Sequence, residues 1–383
     1  YEMQKETGAV MGLNYGWEHP LWFADAPGAQ DTNGFTRQNW FEPVGRECKM
    51  LREKAGIIDI SNFAKYVVRG AEARSWLDAV FANKMPTEVG RSCLTPLISV
   101  RGGLAGDFTV TLMAEDEYWI LGSGMAERYH KRFFDAVPLP DGVSFESRTE
   151  AVCGFNVAGP QSRAILQRLT NTSLNTEDFR FMRSKRVDLA GMDVAMLRVS
   201  FTGDLGWEVH CDTADQKALY TALLEAGKEF GAGPVGSRAL MSMRVEKGYG
   251  SWSREYSPEY WPHEQGMERL CKLDKDFLNK AALQEVLAKE PREQMVLLHL
   301  DEAAVNASNA DATGGEPVFK DGKGVGRVTS GTYGYSVGMS LALAMVKGVG
   351  PGDEVEVMVL GQPHKAKILH EPPFDPKGEK LRA

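Results

Sequence analysis

The sequence contains few residues of the kinds that build disulfide frameworks or metal sites. Its 383 residues include five cysteines, which lie far apart and never form a Cys-x-x-Cys pair. A disulfide framework and a zinc knuckle both need paired cysteines, so neither is predicted. No two of the seven histidines lie four residues apart, the spacing that clamps a metal from one helical face. We therefore expect buried thiols, a reducing compartment such as the cytoplasm, and no metal.

Long apolar runs and an excess of basic residues are also missing. The longest uncharged stretch, residues 328–346, is interrupted by Gly331, Gly334, Gly338 and several hydroxyl residues, which disfavour a membrane-spanning helix. Forty-four Lys and Arg against 52 Asp and Glu give a net charge of −8, which repels nucleic-acid phosphates. The sequence predicts neither a membrane nor a nucleic acid as a partner.

A convincing dinucleotide-binding fingerprint is absent as well. Gly231, Gly233 and Gly236 satisfy the Gly-x-Gly-x-x-Gly spacing. That fingerprint needs a strand before its first glycine, so that the turn presents a helix N-terminus to pyrophosphate. Here a helical pattern precedes Gly231, which predicts a turn between two helices.

The length exceeds what one hydrophobic core normally organises, so two or three packed units are expected. Residues 1–42 mix aromatic residues with Gly and Pro, and predict an extended arm that packs its rings onto another unit. Residues 43–149 predict a mixed α/β unit, and residues 150–290 follow the order of a ferredoxin-like split βαβ unit. Residues 291–383 contain short strands between Gly and Asp turns, typical of a small antiparallel barrel or sandwich. The fold class is α+β.

A carboxylate follows a glycine-rich turn in the segment RGGLAGDFTVT. Gly102, Gly103 and Gly106 permit tight backbone geometry and place Asp107 at the start of a strand. A carboxylate held in this way points in one direction, as many catalytic carboxylates do. An Asp that only caps the turn is the alternative, and the segment alone leaves both open.

A second carboxylate lies between aromatic rings in the segment SFTGDLGWEVH. A glycine-bounded turn separates Phe201 from Trp207, and Glu208 is next in the returning strand. This combination suits a flat heterocycle, because rings stack on its faces while both carboxylate oxygens accept parallel N–H bonds from an amidine-like edge. A hairpin with a surface Glu fits equally well.

A third segment, MRVEKGYGSW, ends a helical pattern and begins an aromatic loop. Arg244, Glu246 and Lys247 are close enough for a helical ion-pair cluster, and Tyr249 and Trp252 follow them. The segment is either the wall of a binding site or a solvated helix end.

Together these segments resemble the aminomethyltransferase family, the glycine-cleavage T-protein and its relatives. RGGLAGDFTVT, FTGDLGWEV, MRVEKGY and VTSGTYGYSVGMSLALAMV occur here in the family's order. More narrowly, KETGAVMGLNYGWEHPLWFA, NWFEPVGRE, SNFAKYVV and EPPFDPKGEKLRA look like the folate-binding half of dimethylglycine and sarcosine dehydrogenases. The resemblance implies a three-domain cloverleaf of the T-protein type, with mixed α/β folate-binding units and a C-terminal antiparallel β-barrel.

The resemblance also implies tetrahydrofolate as cofactor, bound in a central funnel. Asp107 matches the carboxylate beside the folate nitrogen that receives the one-carbon unit, and Glu208 matches the carboxylate that grips the pterin edge. Phe201 stands where many relatives have Tyr, so stacking is kept and a phenol hydrogen bond is lost. An amine that attacks a one-carbon electrophile becomes cationic, so a fixed carboxylate nearby stabilises the charge and can accept the proton. The predicted catalytic residue is Asp107; the cofactor-binding residues are Glu208, Phe201, Trp207, Arg244 and Tyr249; the substrate-binding residues are Trp252 and Tyr256.

Three functions remain open at this point. In the first, the chain is the folate half of, or partner to, a dimethylglycine or sarcosine dehydrogenase, and accepts a one-carbon unit from an N-methylated glycine-type substrate to give methylene-tetrahydrofolate. A flavin dehydrogenase domain or subunit is then the expected partner, and in a eukaryote the mitochondrial matrix the expected location. In the second, a stand-alone demethylase transfers an intact methyl group from an onium or methoxy compound. The third is a folate-binding module without catalysis.

A methylated cation would suit a cage of aromatic rings. The rings available for such a cage are those of Trp17, Trp22, Trp252, Tyr256 and Trp261. Packing residues are the equally good alternative.

Overall fold

The computed structural model describes residues 1–14 and 16–383, without the side chain of Asn14. The first part of the chain contains a two-stranded hairpin, β1-β2, and an antiparallel sheet of five strands in the order β5-β6-β7-β4-β8, which we call the first sheet. Its apolar side packs on α3 and α4. The elements are α1 (Glu2–Glu6), β1 (Ala9–Asn14), β2 (Trp17–Phe23), α2 (Phe41–Glu53), β3 (Gly56–Asp59), β4 (Ala64–Arg69), α3 (Ala73–Val80), β5 (Ser92–Ile98), β6 (Leu104–Ala114), β7 (Glu117–Gly122), α4 (Glu127–Phe134) and β8 (Ser144–Ser147).

The second part forms a six-stranded sheet, the second sheet, in the order β10-β11-β12-β9-β3-β13. From β9 onwards, its elements follow one another along the chain in the predicted split βαβ order. The hairpin formed by its third and fourth elements contributes one strand more than that order contains. Strand β3, from the preceding predicted unit, pairs with β9 and β13, so the sheet includes a strand from before residue 149. The elements are β9 (Val152–Ala158), α5 (Ser162–Gln167), β10 (Ser184–Leu189), β11 (Met192–Leu197), β12 (Gly206–Asp212), α6 (Gln216–Lys228), β13 (Gly233–Val235) and α7 (Ser237–Glu246).

The third part is a closed barrel of six strands in the order β14-β17-β16-β15-β18-β19. All of its strand pairs are antiparallel, and its interior is filled by Val, Leu and Ala side chains. The predicted C-terminal barrel is confirmed. The elements are α8 (Lys280–Leu287), β14 (Gln294–Leu300), α9 (Glu302–Ser308), β15 (Pro317–Lys320), β16 (Lys323–Gly334), β17 (Met339–Val346), β18 (Glu354–Val359), β19 (Gln362–Ile368) and α10 (Glu379–Arg382).

The N-terminal residues differ from the extended arm that the sequence predicted. They form a helix and a hairpin, in which a bulge between Val10 and Met11 shifts the register. The bulge breaks the two-residue alternation that would have identified the strands. The expected packing of rings is present at Trp22, which is 2% exposed and lies in a cluster with Val44 and Leu51 of α2.

The glycine turn at residues 231–236 connects α6 to α7 through the short strand β13, so a helix precedes it as predicted. Gly236 caps α7, and its N–H donates to Oε2 of Glu47 at 2.7 Å. Oε1 of the same carboxylate accepts from the N–H of Phe23 at 2.6 Å. Burial raises the pKa of Glu47 to about 7. The N-terminus of α7 is therefore occupied by a carboxylate of the protein itself.

The first and second sheets face each other. Val67, Met113 and Trp119 of the first sheet pack on Val152 and Ala195 of the second. The outer sides carry the main cores, on α3 and α4 for the first sheet and on α5 and α6 for the second. Across residues 1–14 and 16–383, no helix has the length and apolarity to cross a bilayer, and no cluster of three or more His, Cys, Asp and Glu is arranged to hold a metal. Four of the five thiols are buried.

Candidate functional site

The facing sides of the two sheets carry the two carboxylates that the sequence singled out, Asp107 on β6 and Glu208 on β12. On the first sheet, Leu121 of β7 pairs with Lys65 of β4, so both side chains point to the second sheet. On the second sheet, Leu197 of β11 pairs with Glu208 of β12. Leu121 and Leu197 pack together, which places Lys65 and Glu208 on either side of one interface.

Asp107 lies on this same side of the first sheet. It pairs with Pro96 of β5, and the next residue, Phe108, packs into the core on the opposite side. The carboxylate is half-buried, and no side chain of the described residues donates a hydrogen bond to it. Burial raises the pKa of Asp107 to about 6, while its own backbone N–H opposes the rise. The capping role considered for Asp107 would require a backbone N–H of a neighbouring residue, which the strand does not supply.

Glu208 occupies the sheet interface, with its side chain 13% exposed. Its one hydrogen-bonding contact among the described residues is with Nε2 of His210, at 3.3 Å. Asn156 of β9 is its cross-strand partner, and the side-chain oxygen of Asn156 is buried without a partner. Nδ1 of His210 is likewise buried and unpartnered in the described chain. The side-chain oxygen of Asn156 is therefore available to accept a hydrogen bond next to Glu208.

Phe201 and Tyr249 form a pair of nearly parallel rings. Their centroids are 6.3 Å apart and their planes differ by 17°. Phe201 lies in the loop between β11 and β12, and Tyr249 follows α7 directly. The structure thus brings together two of the predicted cofactor-binding rings, from segments that are far apart in sequence.

Arg244 anchors the loop that carries Tyr249. Its guanidinium donates to the carbonyl oxygen of Tyr249 and to Oε2 of Glu255, both at 2.8 Å, and to the hydroxyl of Ser330 at 2.6 Å. The side chains of Arg244 and Glu255 are 1% and 0% exposed. Arg244 is therefore buried behind the loop and positions it, whereas the sequence analysis placed it among the cofactor-binding residues.

The predicted ion-pair cluster within the helix is wrong. Each of its members reaches a different part of the molecule, because the end of α7 is buried between the second sheet and the barrel. The pairs are Arg244 with Glu255, Glu246 with Arg52, and Lys247 with Asp375.

The two predicted substrate-binding residues lie in the same loop, on the side of the first sheet. The ring of Trp252 contacts His130 at a centroid distance of 5.0 Å and Tyr129 at 5.8 Å. Tyr256 is half-buried, and burial together with the negative charge of Asp107 raises its pKa. The phenol of Tyr256 therefore stays protonated beside the Asp107 carboxylate.

The prediction that Trp207 contacts the cofactor disagrees with the structure. Trp207 is 0% exposed and packs against Phe179 on the outer side of the second sheet. Successive residues of a strand point to opposite sides, so the position that directs Glu208 into the interface directs Trp207 away from it. Trp207 is a core residue.

Two of the five candidate rings for a cation cage, those of Trp22 and Trp261, pack in other places. Trp22 lies in the cluster on α2, and its indole N–H donates to Asp31 at 3.0 Å. Trp261 stacks on His263, at a centroid distance of 5.6 Å, and on the guanidinium of Arg292. Both rings are used in packing, which removes them from a shared cage with Trp252.

Lys65, Asn156 and His210 are residues of this site that the sequence analysis did not single out. A signal was present for Lys65, which stands between apolar residues in the strand AKYVVR and faces the opposite side from Tyr66 and Val68. Asn156 and His210 gave no distinguishing signal, because single polar residues in a strand usually face solvent.

Two family profiles together match almost the whole chain. Residues 1–275 match the GCVT N-terminal domain, and residues 294–375 match the glycine cleavage T-protein C-terminal barrel domain. The chain belongs to the glycine-cleavage T-protein family. The family and the three-part fold predicted from the sequence are both confirmed.

Similar proteins include members of two kinds. Mouse mitochondrial dimethylglycine dehydrogenase is 35% identical over 371 residues, which cover 94% of this chain and 42% of the mouse protein. A probable aminomethyltransferase of Thermococcus kodakarensis is 26% identical over 411 residues, covering 98% of this chain and 96% of that protein. The crystal structure of aminomethyltransferase T from Bartonella henselae has a TM-score of 0.84 at 22% identity, covering 98% of this chain and 97% of that one. The chain thus spans less than half of the length of the dehydrogenase.

Aminomethyltransferases of the T-protein family are tetrahydrofolate-dependent enzymes, so the predicted enzyme class and cofactor are confirmed at the level of the family. The residues present fit such a cofactor. The carboxylate of Glu208 and the unpartnered side-chain oxygen of Asn156, its cross-strand neighbour, offer hydrogen bonds to a polar heterocyclic edge. Phe201 and Tyr249 offer parallel rings, and Asp107 offers a carboxylate without a protein partner.

Proposed function

We propose that this chain transfers a one-carbon unit to tetrahydrofolate and gives methylene-tetrahydrofolate. The unit comes from an N-methylated glycine-type substrate that a flavin dehydrogenase domain or subunit has oxidised. The proposal is carried by Asp107, a half-buried carboxylate whose pKa is raised to about 6 and which no other side chain of the described chain engages. At neutral pH it is a base with its oxygens free.

The role of Asp107 is electrostatic and acid–base. When bound, tetrahydrofolate supplies the nucleophilic nitrogen of the reaction. The carboxylate of Asp107 stabilises the positive charge that develops there and accepts the proton that is released. A pKa near 6 suits this task, because the group is ionised at neutral pH and still basic enough to take the proton. Burial, together with the negative charge of Asp107, raises the pKa of Tyr256, so this phenol stays protonated at the same pH.

Glu208 and the two parallel rings hold the cofactor in place. Glu208 accepts the N–H bonds of the pterin's amino-pyrimidine edge, and charge-assisted pairs of this kind are among the strongest hydrogen bonds in proteins. Phe201 and Tyr249 contact the faces of the flat ring system. Arg244 contributes through the loop, by fixing the carbonyl of Tyr249.

The likeness to dimethylglycine dehydrogenase supports an N-methylated glycine as the source of the one-carbon unit. A 4-methylaminobutanoate oxidase of Paenarthrobacter nicotinovorans, 29% identical over 382 residues, is named as forming formaldehyde, a one-carbon unit at the same oxidation level as methylene. The matched part covers 42% of the dehydrogenase and 46% of the oxidase, so each of these relatives is more than twice as long as the part that resembles this chain. An additional domain or subunit that performs the oxidation fits that difference in length.

The experiment uses formaldehyde as the oxidised one-carbon donor. The purified chain is mixed with tetrahydrofolate and formaldehyde, and in parallel with tetrahydrofolate and unoxidised N-methylated glycines, onium compounds or methoxy compounds. The folate product is identified by mass. We expect methylene-tetrahydrofolate to form faster than in the protein-free mixture, and only with formaldehyde.

Two variants make the test specific. Asp107→Asn should lose most of the acceleration while still binding folate, and Asp135→Asn, at an exposed carboxylate that directly follows α4, should keep it. Methyl-tetrahydrofolate from an unoxidised donor would show that the chain is a demethylase instead. Folate binding without any acceleration would show a non-catalytic module.

A further inference from the structure

The loop that carries Phe201 has no regular structure of its own. It connects β11 to β12 over residues 198–205, none of which belongs to a helix or a strand. Gly203 turns the loop with a φ of +87°, in the left-handed region that favours glycine. The residues on either side of this turn, Thr202 and Asp204, are 0% and 2% exposed. Connecting segments are usually more mobile than helices and strands, so a ring on such a loop needs another group to hold it in one place.

Arg52 of α2 is the group that holds this loop. Its Nη1 donates to the carbonyl oxygen of Thr202 at 2.8 Å, and the same nitrogen donates to Oδ2 of Asp204. One nitrogen of the guanidinium thus binds the loop on both sides of the glycine turn. Thr202 follows Phe201 directly in the chain, so the contact fixes the backbone beside the ring.

Other parts of the molecule hold the guanidinium of Arg52. Nη2 donates to Oε2 of Glu246 on α7 at 2.7 Å, and Nε donates to the hydroxyl of Ser336 at 3.0 Å. The centroid of the Phe374 ring lies 3.5 Å from Cζ. The side chain of Arg52 is 6% exposed, and those of Asp204 and Glu246 are 3% and 0% exposed. A guanidinium can join all these groups because its N–H donors diverge in a fixed, planar fork.

Helix α7 connects the two parallel rings through these contacts. Glu246, the last residue of α7, binds Arg52, which holds the backbone beside Phe201. Arg244, in the last turn of the same helix, donates to the carbonyl oxygen of Tyr249 at 2.8 Å. Each ring is therefore held from behind by one arginine, and both arginines are fastened at the end of one helix.

We propose that Arg52 is a positioning residue for folate binding: it holds the loop between β11 and β12 so that the ring of Phe201 stays parallel to that of Tyr249. The inference rests on the proposed function, in which these two rings contact the pterin. Arg52 acts through Phe201 and needs no contact of its own with the cofactor.

Calorimetric titration of Arg52→Lys with tetrahydrofolate under reducing conditions tests the proposal. Lysine keeps a positive charge between the carboxylates of Asp204 and Glu246, but its single nitrogen cannot reproduce the fork of a guanidinium. The expected loss is limited to what the ring of Phe201 contributes. We therefore expect folate binding to weaken roughly two- to tenfold, the range for losing one aromatic stacking contact. Arg46→Lys, at an exposed arginine of the same helix, should leave the affinity unchanged.

A double-mutant cycle separates this role from a general loss of structure. The second change is Phe201→Leu, which removes the aromatic face. If Arg52 acts through Phe201, Arg52→Lys should cause no further loss of affinity in a chain that already carries Phe201→Leu. An additive loss would show that Arg52 supports the site in another way, and would overturn the proposal. An unchanged affinity for Arg52→Lys alone would also overturn it.

The kinetic constants give a second readout. With formaldehyde as the one-carbon donor, Arg52→Lys should raise KM for tetrahydrofolate and leave kcat unchanged, because only binding of the cofactor is weakened. Asp107 lies on β6 of the first sheet, which Arg52 does not contact through any hydrogen bond described above. A fall in kcat would show that the change also reaches the catalytic carboxylate, which contradicts a role limited to Phe201.

Phe201→Leu distinguishes the two levels of inference. If this variant binds tetrahydrofolate as tightly as the unaltered chain, the proposed contact between Phe201 and the pterin fails. If it weakens binding while Arg52→Lys does not, only the role of Arg52 fails.

Asp204→Asn provides a test if Arg52→Lys does not fold. This change weakens the contact of Arg52 with the loop and leaves the pair of Arg52 with Glu246 intact. Asp204→Asn should weaken folate binding, and the loss should disappear in a chain that already carries Phe201→Leu. An unchanged affinity, or a loss that persists without the ring, would overturn the proposal.

Discussion

The buried pair of Arg244 and Glu255 offers the sharpest test of how the site is held together. We predict that Glu255→Gln destabilises the protein by about 3–5 kcal/mol, the usual cost of removing one partner of a buried ion pair. The two side chains are 1% and 0% exposed, so water cannot replace the lost charge. Gln keeps the shape and can still accept from the hydroxyls of Thr329 and Ser330. The lost stability therefore measures the cost of leaving the Arg244 guanidinium buried without a negatively charged partner.

Two measurements test this prediction. Urea unfolding gives the free energy of unfolding of the whole protein, and hydrogen exchange of the loop amides gives the free energy of local opening. If the loop opens locally, 3–5 kcal/mol corresponds to exchange about 10² to 10⁴ times faster, at 1.36 kcal/mol per factor of ten. The matched control is Asp25→Asn, which removes the partner of Arg46 in a pair whose side chains are 53% and 88% exposed. Exposed ion pairs contribute at most about 1 kcal/mol to stability, so this control variant should have nearly the same free energy of unfolding as the unaltered protein.

Two outcomes would refute the reasoning. The first is a loss for Glu255→Gln no larger than that for Asp25→Asn. The second comes from the double variant Arg244→Met with Glu255→Gln. This variant leaves neither charge of the pair buried, so we expect it to recover part of the stability that Glu255→Gln loses. A double variant as unstable as the sum of its single changes would show that the charge on Arg244 is not the cause.

Three further predictions concern the site directly. Turnover should rise with pH through about 6, because Asp107 accepts a proton only in its ionised form. A flat rate between pH 5 and 7 would contradict its role as base. Asp107→Asn should lower kcat by about 10² to 10³ at pH 7.5. Phe201→Leu should weaken folate binding roughly two- to tenfold in calorimetry, whereas Phe201→Tyr should not, since only the aromatic face is used. Trp207→Phe should lower the free energy of unfolding by about 1–3 kcal/mol and leave folate affinity unchanged, and a weaker affinity would return Trp207 to the site.

Local patterns in the sequence predicted a small antiparallel barrel or sandwich at the end of the chain, and left Asp107 as either a directed carboxylate or a turn cap. Short strands between Gly and Asp turns predict such a domain without reference to the rest of the chain, and the resemblance to the T-protein family selected the barrel that the structure shows. Asp107 is directed by its own strand, because Phe108 next to it must enter the core. Such features depend on neighbours within a few residues, which a sequence displays.

Long-range pairing is what the sequence did not reveal. Strand β3 joins the second sheet although β9, its partner, begins more than ninety residues later. Glu255 pairs with Arg244 across an irregular loop, which has no periodicity from which the contact could be predicted. Trp207 is a different case: the two-residue alternation of β12 already forbids that Trp207 and Glu208 share one side, so that prediction could have been avoided.

The barrel influences the site through the loop that Arg244 and Glu255 anchor. Thr329 and Ser330, both on β16 of the barrel, donate to Oε1 of Glu255, while its Oε2 accepts from Arg244 of the second part. The loop held in this way places Tyr249 parallel to Phe201. The same loop also reaches the strand that carries Asp107, because the N–H of Leu104 on β6 donates to the carbonyl oxygen of Tyr260 at 3.1 Å. Because one anchored loop contacts both the ring of Phe201 and strand β6, a contact made in the barrel helps to set the position of these rings relative to the Asp107 carboxylate. If the proposed function holds, the barrel therefore contributes to it by fixing this geometry.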